Sequence, residues 1–316
     1  MSTNPLSPPG FAAALALSLC AADAAAAPPV TAVEFAPGGR SVVVGSQSGI
    51  EVRSWPGLRP LRRIETALAH THDLAFSPDG TRLAASGGSP GESGVVEIFD
   101  WPGGKSLRRL RGHEDVAFAV AWDPGSGSLA TAGLDRIVLL WDPDSGKVVR
   151  RFEGHSRGVT AVSFLPGGTD LLSAGIDQSL RVWDLRNGGL RRSLDNHTLP
   201  VHDLAVRPGG DGPPMVASVA EDRTVRFWQP TIGRLVRFAR LESAPLAADW
   251  LPDGSRAAVA CADGRVRLID PDTATVTGDF PALDGWAYSL AVHPSGAAAV
   301  VGGGDGRVKR VPLRRE

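Results

Sequence analysis

The chain has 316 residues, and its 33 Lys plus Arg against 34 Asp plus Glu leave a formal net charge of −1, so no global charge calls for a nucleic-acid partner. Hydrophobic residues make up 42%, enough to bury a core, and the two cysteines, Cys20 and Cys261, exclude a disulfide framework and form no CxxC or CxxCH pattern. The 38 Gly and 25 Pro are spread along the chain, which reads as many short elements separated by turns and not as a disordered tail.

Residues 1–28 stand apart from the rest. Met1–Gly10 holds no Lys or Arg, Phe11–Leu19 is an apolar run, and Ala24–Ala27 leads into Pro28-Pro29. The run has the form of a signal-peptide core with an Ala-x-Ala cleavage site near Ala27. It is too short to span a bilayer, and no other segment is a transmembrane candidate. The expectation is a periplasmic or exported protein, with a cytoplasmic one as the alternative.

From residue 29 onward one phrase recurs: a short apolar strand followed by a Pro-Gly turn. It reads Val33-Glu34-Phe35-Ala36-Pro37-Gly38-Gly39, then Leu74-Ala75-Phe76-Ser77-Pro78-Asp79-Gly80, and returns around Pro124, Pro166, Pro208, Pro252 and Pro294. The Pro-to-Pro steps are 41, 46, 42, 42, 44 and 42 residues. Seven copies near this period predict an all-β, seven-bladed propeller of four-stranded antiparallel blades over 29–316. The long step reflects an insertion at Ser89–Gly94 in a turn of copy two. Copy four shows the pattern: strands at Val159–Phe164, Leu171–Ala174, Leu180–Trp183 and Leu190–Leu194, bounded by Gly, Pro and Asp. In copy seven the third strand ends near Val311, and Pro312–Glu316 is too short for a fourth. By alignment the missing strand falls near Leu17–Ala22, inside the segment read above as an export signal. Cleavage of that segment, its retention as the closing strand, and a chain that is a split or truncated piece all stay open.

Copies three to five carry Gly112-His113, Gly154-His155 and the variant Asn196-His197, paired with Trp141-Asp142, Trp183-Asp184 and Trp228-Gln229. On these residues the chain resembles the WD40-repeat proteins, bacterial members included, from about Val30 onward. The other copies are degenerate, with Arg53, Phe99, Ile269 and Arg310 or Val311 near the Trp position. The resemblance implies buried tetrads of His113, Thr131, Asp135 and Trp141; His155, Ser173, Asp177 and Trp183; and His197, Ser218, Asp222 and Trp228. It also implies a non-catalytic scaffold that presents a propeller face to a protein partner. Some bacterial relatives of this kind occur with exported c-type cytochrome modules, which makes such modules an expected class of partner.

No residue is assigned a catalytic role. His, Asp and Ser together suggest a hydrolase, but a grouping repeated at blade spacing marks a structural device. Gly87-Gly88-Ser89-Pro90-Gly91 matches a nucleophile elbow in letters only, since no helix follows. Gly104-Lys105-Ser106 lacks the leading Gly of a phosphate loop, which would fall at Phe99. His70-Thr71-His72 has no further ligand nearby, so neither a metal nor a cofactor is expected. The rival reading, an enzyme or small-ligand propeller acting at the channel mouth, calls for convergent carboxylates. The sequence offers Glu221 beside Asp222 and no evident ring of them.

Two surface features are candidates for contact. Counted back from each Pro-Gly turn, Thr31, His72, Phe118, Thr160, His202, Leu246 and Tyr288, with Trp286 alongside, form a column near one mouth of the central channel. They compose either a partner-binding face or part of the blade core. Arginines recur on the outer strands at Arg62-Arg63, Arg108-Arg109, Arg150-Arg151, Arg191-Arg192 and Arg237 with Arg240. They serve either to block edge pairing or to meet an anionic partner. Trp55-Pro56-Gly57 and Trp101-Pro102-Gly103 occupy matching turns, as partner anchors or as covers for the blade edge.

Overall fold

A computed structural model describes residues 27–314 except Ser126 and Asp211. Seven antiparallel sheets follow one another along the chain, at 30–64, 71–113, 117–153, 159–194, 201–240, 245–281 and 287–312. Within each, sequence order is spatial order, so strands a to d run from the channel outward. Six sheets have four strands, and the seventh has three among the described residues: Ala287–Val292, Ala298–Gly303 and Val308–Pro312. The apolar run Phe11–Leu19 expected as an export signal and the segment Leu17–Ala22 expected as an alternative closing strand lie outside the described residues. No helix among the described residues is long and apolar enough to cross a membrane.

Burial follows position in the blade. Strand b of blade 4, Asp170–Gly175, is buried at every residue, whereas strand d, Leu190–Leu194, is exposed at all but its last. Middle strands have both faces covered by neighbouring blades, so they read as continuous apolar runs and not as alternation. The cores accordingly lie between blades. Val96, Ile98 and Leu110 of blade 2 pack with Leu129, Leu139 and Trp141 of blade 3 in one cluster. The register fixes the Trp-equivalent position of blade 7 as Val311, opposite Ala299, just as Trp141 lies opposite Leu129.

Every a strand carries a register shift after its first residue. The extra residues are Thr31, His72, Phe118, Thr160, His202, Leu246 and Tyr288. A bulge of this kind leaves one residue outside the ladder and turns its side chain aside.

The ring closes where blade 7 meets blade 1. Ser289 donates its hydroxyl to the Val30 carbonyl at 3.2 Å. Val30, Val33, Phe35, Val42 and Val44 share a core with Ala291 and Val300. His293 stacks on Trp55, with ring centroids 5.2 Å apart and planes at 14°, and meets Phe35 edge-on at 5.0 Å. Its Nε2 donates to the Gly39 carbonyl at 3.1 Å.

Candidate functional site

In each of blades 3, 4 and 5 the structure brings the four tetrad residues together. His113 sits where the outer strand of blade 2 ends and reaches forward into blade 3. Its Nδ1 lies 2.9 Å from Asp135 Oδ2 and its Nε2 2.7 Å from Thr131 Oγ1, which accepts from Trp141 Nε1 at 2.8 Å. His155 reaches Asp177 at 3.0 Å and Ser173 at 2.8 Å, and Trp183 reaches the same hydroxyl at 2.8 Å. His197 reaches Asp222 at 2.9 Å and Ser218 at 2.7 Å, and Trp228 completes that set at 2.8 Å. One proton arrangement satisfies each chain: indole N–H to hydroxyl, hydroxyl O–H to imidazole Nε2, and imidazole Nδ1–H to carboxylate. The carboxylates also accept from the backbone N–H of Glu114, Ser156 and Thr198. Burial pushes the Asp177 carboxyl up, but the bonds from His155, Ser156 and Ser179 outweigh it and hold it down to about 2. Asp135 and Asp222 are lowered by the same balance. The line Asp–His–Ser has the connectivity of a hydrolytic triad, but the hydroxyls of Thr131, Ser173 and Ser218 belong to residues with 0% exposure. A substrate reaches them only by opening the blade.

Two degenerate blades solve the same joint differently. In blade 2, Glu97 is wholly buried and accepts from Thr66 Oγ1, the Ala67 N–H, Ser106 Oγ and Arg109 Nε. In blade 6, Val259 and Ile269 take the register places of Ser218 and Trp228 and pack with the buried Leu241 of the connector.

The seven bulged residues all line the central channel, a cavity of about 430 Å³. Thr31 and Thr160 turn their hydroxyls onto carbonyls of the next blade, at Thr71 and at Val201 (2.7 Å for the latter), and His202 and Leu246 are buried. Half-buried rings remain in two pairs: His72 on Phe118 at 4.8 Å, and Trp286 edge-on to Tyr288 at 5.5 Å. Trp286 is not part of the channel lining. Burial, and then neighbouring His70, push His72 down to about 4, and burial takes His202 to about 3.

Deeper in the channel the structure corrects the sequence reading. Four carboxylates line it, Glu34, Asp73, Asp203 and Asp249, from blades 1, 2, 5 and 6. The innermost strand turns its unpaired edge to the channel, so its free N–H groups need acceptors. Asp73 accepts from Leu74 and from Val120 of the next blade at 2.8 and 2.9 Å. Asp203 does the same with Leu204 and Ala248, at 2.7 and 2.9 Å, and Asp249 with Trp250 and Val292, both at 2.7 Å. Burial outweighs these bonds and raises Asp73 and Asp249 to about 6 and Asp203 to about 7. Glu34 is pushed well above the carboxylate range by burial, then by Asp249 and Asp73. Among the described residues no group of three or more His, Cys, Asp or Glu is placed to hold a metal ion.

On the outer rim one arginine in four of the five pairs is tied forward. Arg62 donates to the Pro102 and Gly103 carbonyls, Arg108 to Ser145, Arg150 to Arg186 and Arg192 to Thr231, each in the c–d turn of the next blade. Gly146 (φ 73°) shows why such a turn holds glycine: a Cβ there would come 2.9 Å from the Arg108 side chain. Arg191 binds Asp170 and Asp184 at 2.7 and 2.6 Å. The Trp-Pro turns cover edges: Arg310 lies over Trp55 at 5.6 Å and Arg62 over Trp101 at 5.2 Å.

The WD domain, G-beta repeat model matches residues 104–142, 146–184 and 188–229, the segments that hold the three tetrads. With seven blades in one ring, the chain is a WD40-repeat β-propeller. It is 32% identical over 68 residues to Intraflagellar transport protein 122 homolog of Xenopus tropicalis, and likewise to that of Homo sapiens; the match covers 22% of this chain and 5% of those proteins. It is 29% identical over 114 residues to Actin-interacting protein 1-2 of Arabidopsis thaliana, covering 35% of this chain and 18% of that protein. The chain thus spans a small part of the length of these relatives.

Proposed function

We propose that this propeller is a non-catalytic protein-interaction scaffold whose working face is the channel mouth at the start of the a strands. The observation that carries this is the pair of half-buried ring clusters, His72 with Phe118 and Trp286 with Tyr288, on either side of blade 1. Aromatic side chains that stay partly exposed beside a rigid pocket are the groups that most often anchor protein interfaces. Membership of the WD40 family supports the same reading, and so does the forward tying of the rim arginines, which leaves that rim less free for an anionic partner. A photo-crosslinking residue at position 118 is expected to capture a protein from native cells that the same residue at position 191 does not. The captured protein, once purified, should bind the chain, and Phe118→Ala with Trp286→Ala should weaken that binding at least about tenfold. Adducts at 191 with none at 118 would move the face to the rim.

We also propose export, with cytochrome-type modules among the partners to test, on the strength of Phe11–Leu19 and the site near Ala27. N-terminal sequencing of the native protein should begin near Pro28; a start at Met1 or Ser2 refutes it.

A further inference from the structure

Blade 5 is the exception on the arginine rim. Arg62, Arg108, Arg150 and Arg192 hold one register place, opposite Val52, Ile98, Leu140 and Val182, and all four reach carbonyls of the next blade. Arg237 holds that place in blade 5, opposite Phe227. It makes no hydrogen bond or ion pair with any described residue, and neither do Arg234 and Arg240 on the same strand. The cause lies in the turn that Arg237 faces. In blades 2 to 5 the c–d turn holds a glycine at positive φ, Gly104, Gly146, Gly188 or Gly233, and a Cβ there would come 3.2 Å or nearer to the arginine that crosses it. The N–H of Gly104, Gly146 and Gly188 donates to the carbonyl of Asp100, Asp142 and Asp184. In blade 6 the matching N–H, to Asp270, belongs to Ala274 at φ 57°. Its methyl packs on the core that holds Phe227 and Ala239 of blade 5, in the space that the arginine stem fills at the other turns. Arg237 is thereby left to solvent. Beside it Phe238 is 53% exposed, with Arg226 over its ring at 5.4 Å. By register Arg234 and Arg237 point to one face of this edge, and Phe238 and Arg240 to the other.

We propose that the outer edge of blade 5 takes up an acidic, extended segment of a partner protein, laid beside Arg234–Arg240. Its carboxylates meet Arg234, Arg237 and Arg240, and an apolar side chain meets Phe238. The outward N–H and C=O groups of an outer strand are an unpaired row, and an added strand pairs with them. Guanidinium forks match carboxylates in geometry and charge. A second copy of this strand is excluded, because pairing it with itself sets arginine against arginine. A bare polyanion would use the arginines and leave Phe238 idle, whereas an aromatic ring among arginines is the composition that protein interfaces favour. The contact is separate from the channel mouth and does not depend on it.

Fluorescence anisotropy of the full chain with a labelled peptide that alternates Glu with Val and Phe tests this. The same peptide with Lys for Glu is the control, and a heparin oligosaccharide and phosphatidylserine vesicles represent other anions. The acidic peptide should bind with Kd below about 1 mM and the basic one should not. Arg234→Gln, Arg237→Gln and Arg240→Gln together should weaken binding at least about tenfold, and Phe238→Ala at least about threefold. Arg151→Gln with Arg191→Gln should leave it unchanged. Ala274→Gly, which opens the turn to the Arg237 stem, should weaken binding about twofold or more. The four side chains changed on blade 5 are exposed, so these variants should melt as wild type does. The proposal falls if the acidic peptide does not bind at about 1 mM, if the basic peptide binds as well, or if either blade 5 variant binds as wild type does. Tighter binding of heparin or vesicles than of the peptide also overturns it, in favour of a polyanion or a lipid surface. None of these results bears on crosslinking at position 118, so the two readings fail separately.

Discussion

Replacing Thr131 by Val tests the tetrad with almost no change of volume. Thr131 Oγ1 is the central atom of its chain, 2.7 Å from His113 Nε2 and 2.8 Å from Trp141 Nε1. Both rings are buried, at 3% and 1% exposure, so neither nitrogen finds water once the hydroxyl is gone. Each orphaned group costs about 1–3 kcal/mol, so the substitution should cost about 2–5 kcal/mol. A melting entropy of about 2.1 cal/mol/K per residue over roughly 290 residues turns that into a fall of about 3–8 °C in Tm. Blade 6 supplies an internal reference, since Val259 and Ile269 hold the places of the hydroxyl and the indole and pack with the connector's Leu241. His113→Leu, Thr131→Val and Trp141→Ile combined should therefore cost clearly less than the sum of the three singles, a coupling of about 1–3 kcal/mol. Urea unfolding followed by tryptophan fluorescence measures all of these. A loss below about 0.5 kcal/mol for Thr131→Val, or strict additivity in the triple variant, would refute the hydroxyl's bridging role.

Three further outcomes are expected. Asp177, held down to about 2 in the fold, contributes stability above the ordinary carboxylate range that disappears as pH falls toward 2. Asp203, raised to about 7, acts in the opposite sense: the fold favours its protonated form, so stability declines as pH rises from about 4 to about 7. Tm should peak in mildly acidic solution, and Asp203→Asn should flatten the decline between pH 5 and 8; an unchanged slope counts against burial as the cause. Arg150→Ala should change global stability by less than about 1 kcal/mol yet speed amide exchange in residues 185–189, and no local change would mean that the tie to Arg186 is idle. His293→Ala removes the stack on Trp55 and the bond to Gly39, and should cost about 1–3 kcal/mol, with faster exchange concentrated in Val30–Phe35.

The repeat, its strands and the tetrad residues were legible because they depend on spacing and on side chains of distinctive chemistry. Trp141, Trp183 and Trp228 with their upstream histidines could be paired by counting. The channel carboxylates were not legible. Asp73 and Asp203 stand third in their strands, whereas Glu34 and Asp249 stand fifth, so no single column collects them. Alternation assigns faces to a strand, but the innermost strand also meets the channel with its edge, and residues from both faces border it. The bulge after the first residue hid the pattern further. Nor did the paired arginines announce their use: edge protection and anionic binding were the readings weighed, and the carbonyls that Arg62, Arg108, Arg150 and Arg192 meet belong to a different repeat in each case.

Those four arginines, the three histidines and the channel aspartates share a direction. Each group belongs to one blade, or to the connector leaving it, and finds its partner in the blade that follows. A blade therefore hands an unfinished half-joint to its successor and completes the one left by its predecessor. Such grammar makes the chain extensible, since a copy inserted in register among blades 3 to 5 finds both halves of its joints waiting, but it contains no instruction to stop. The count of seven is decided only at the place where Ser289 meets Val30 and His293 settles between Phe35 and Trp55. In a lineage that gains or loses a repeat, that seam is where the sequence has to be rewritten, while the other six junctions can stay as they are.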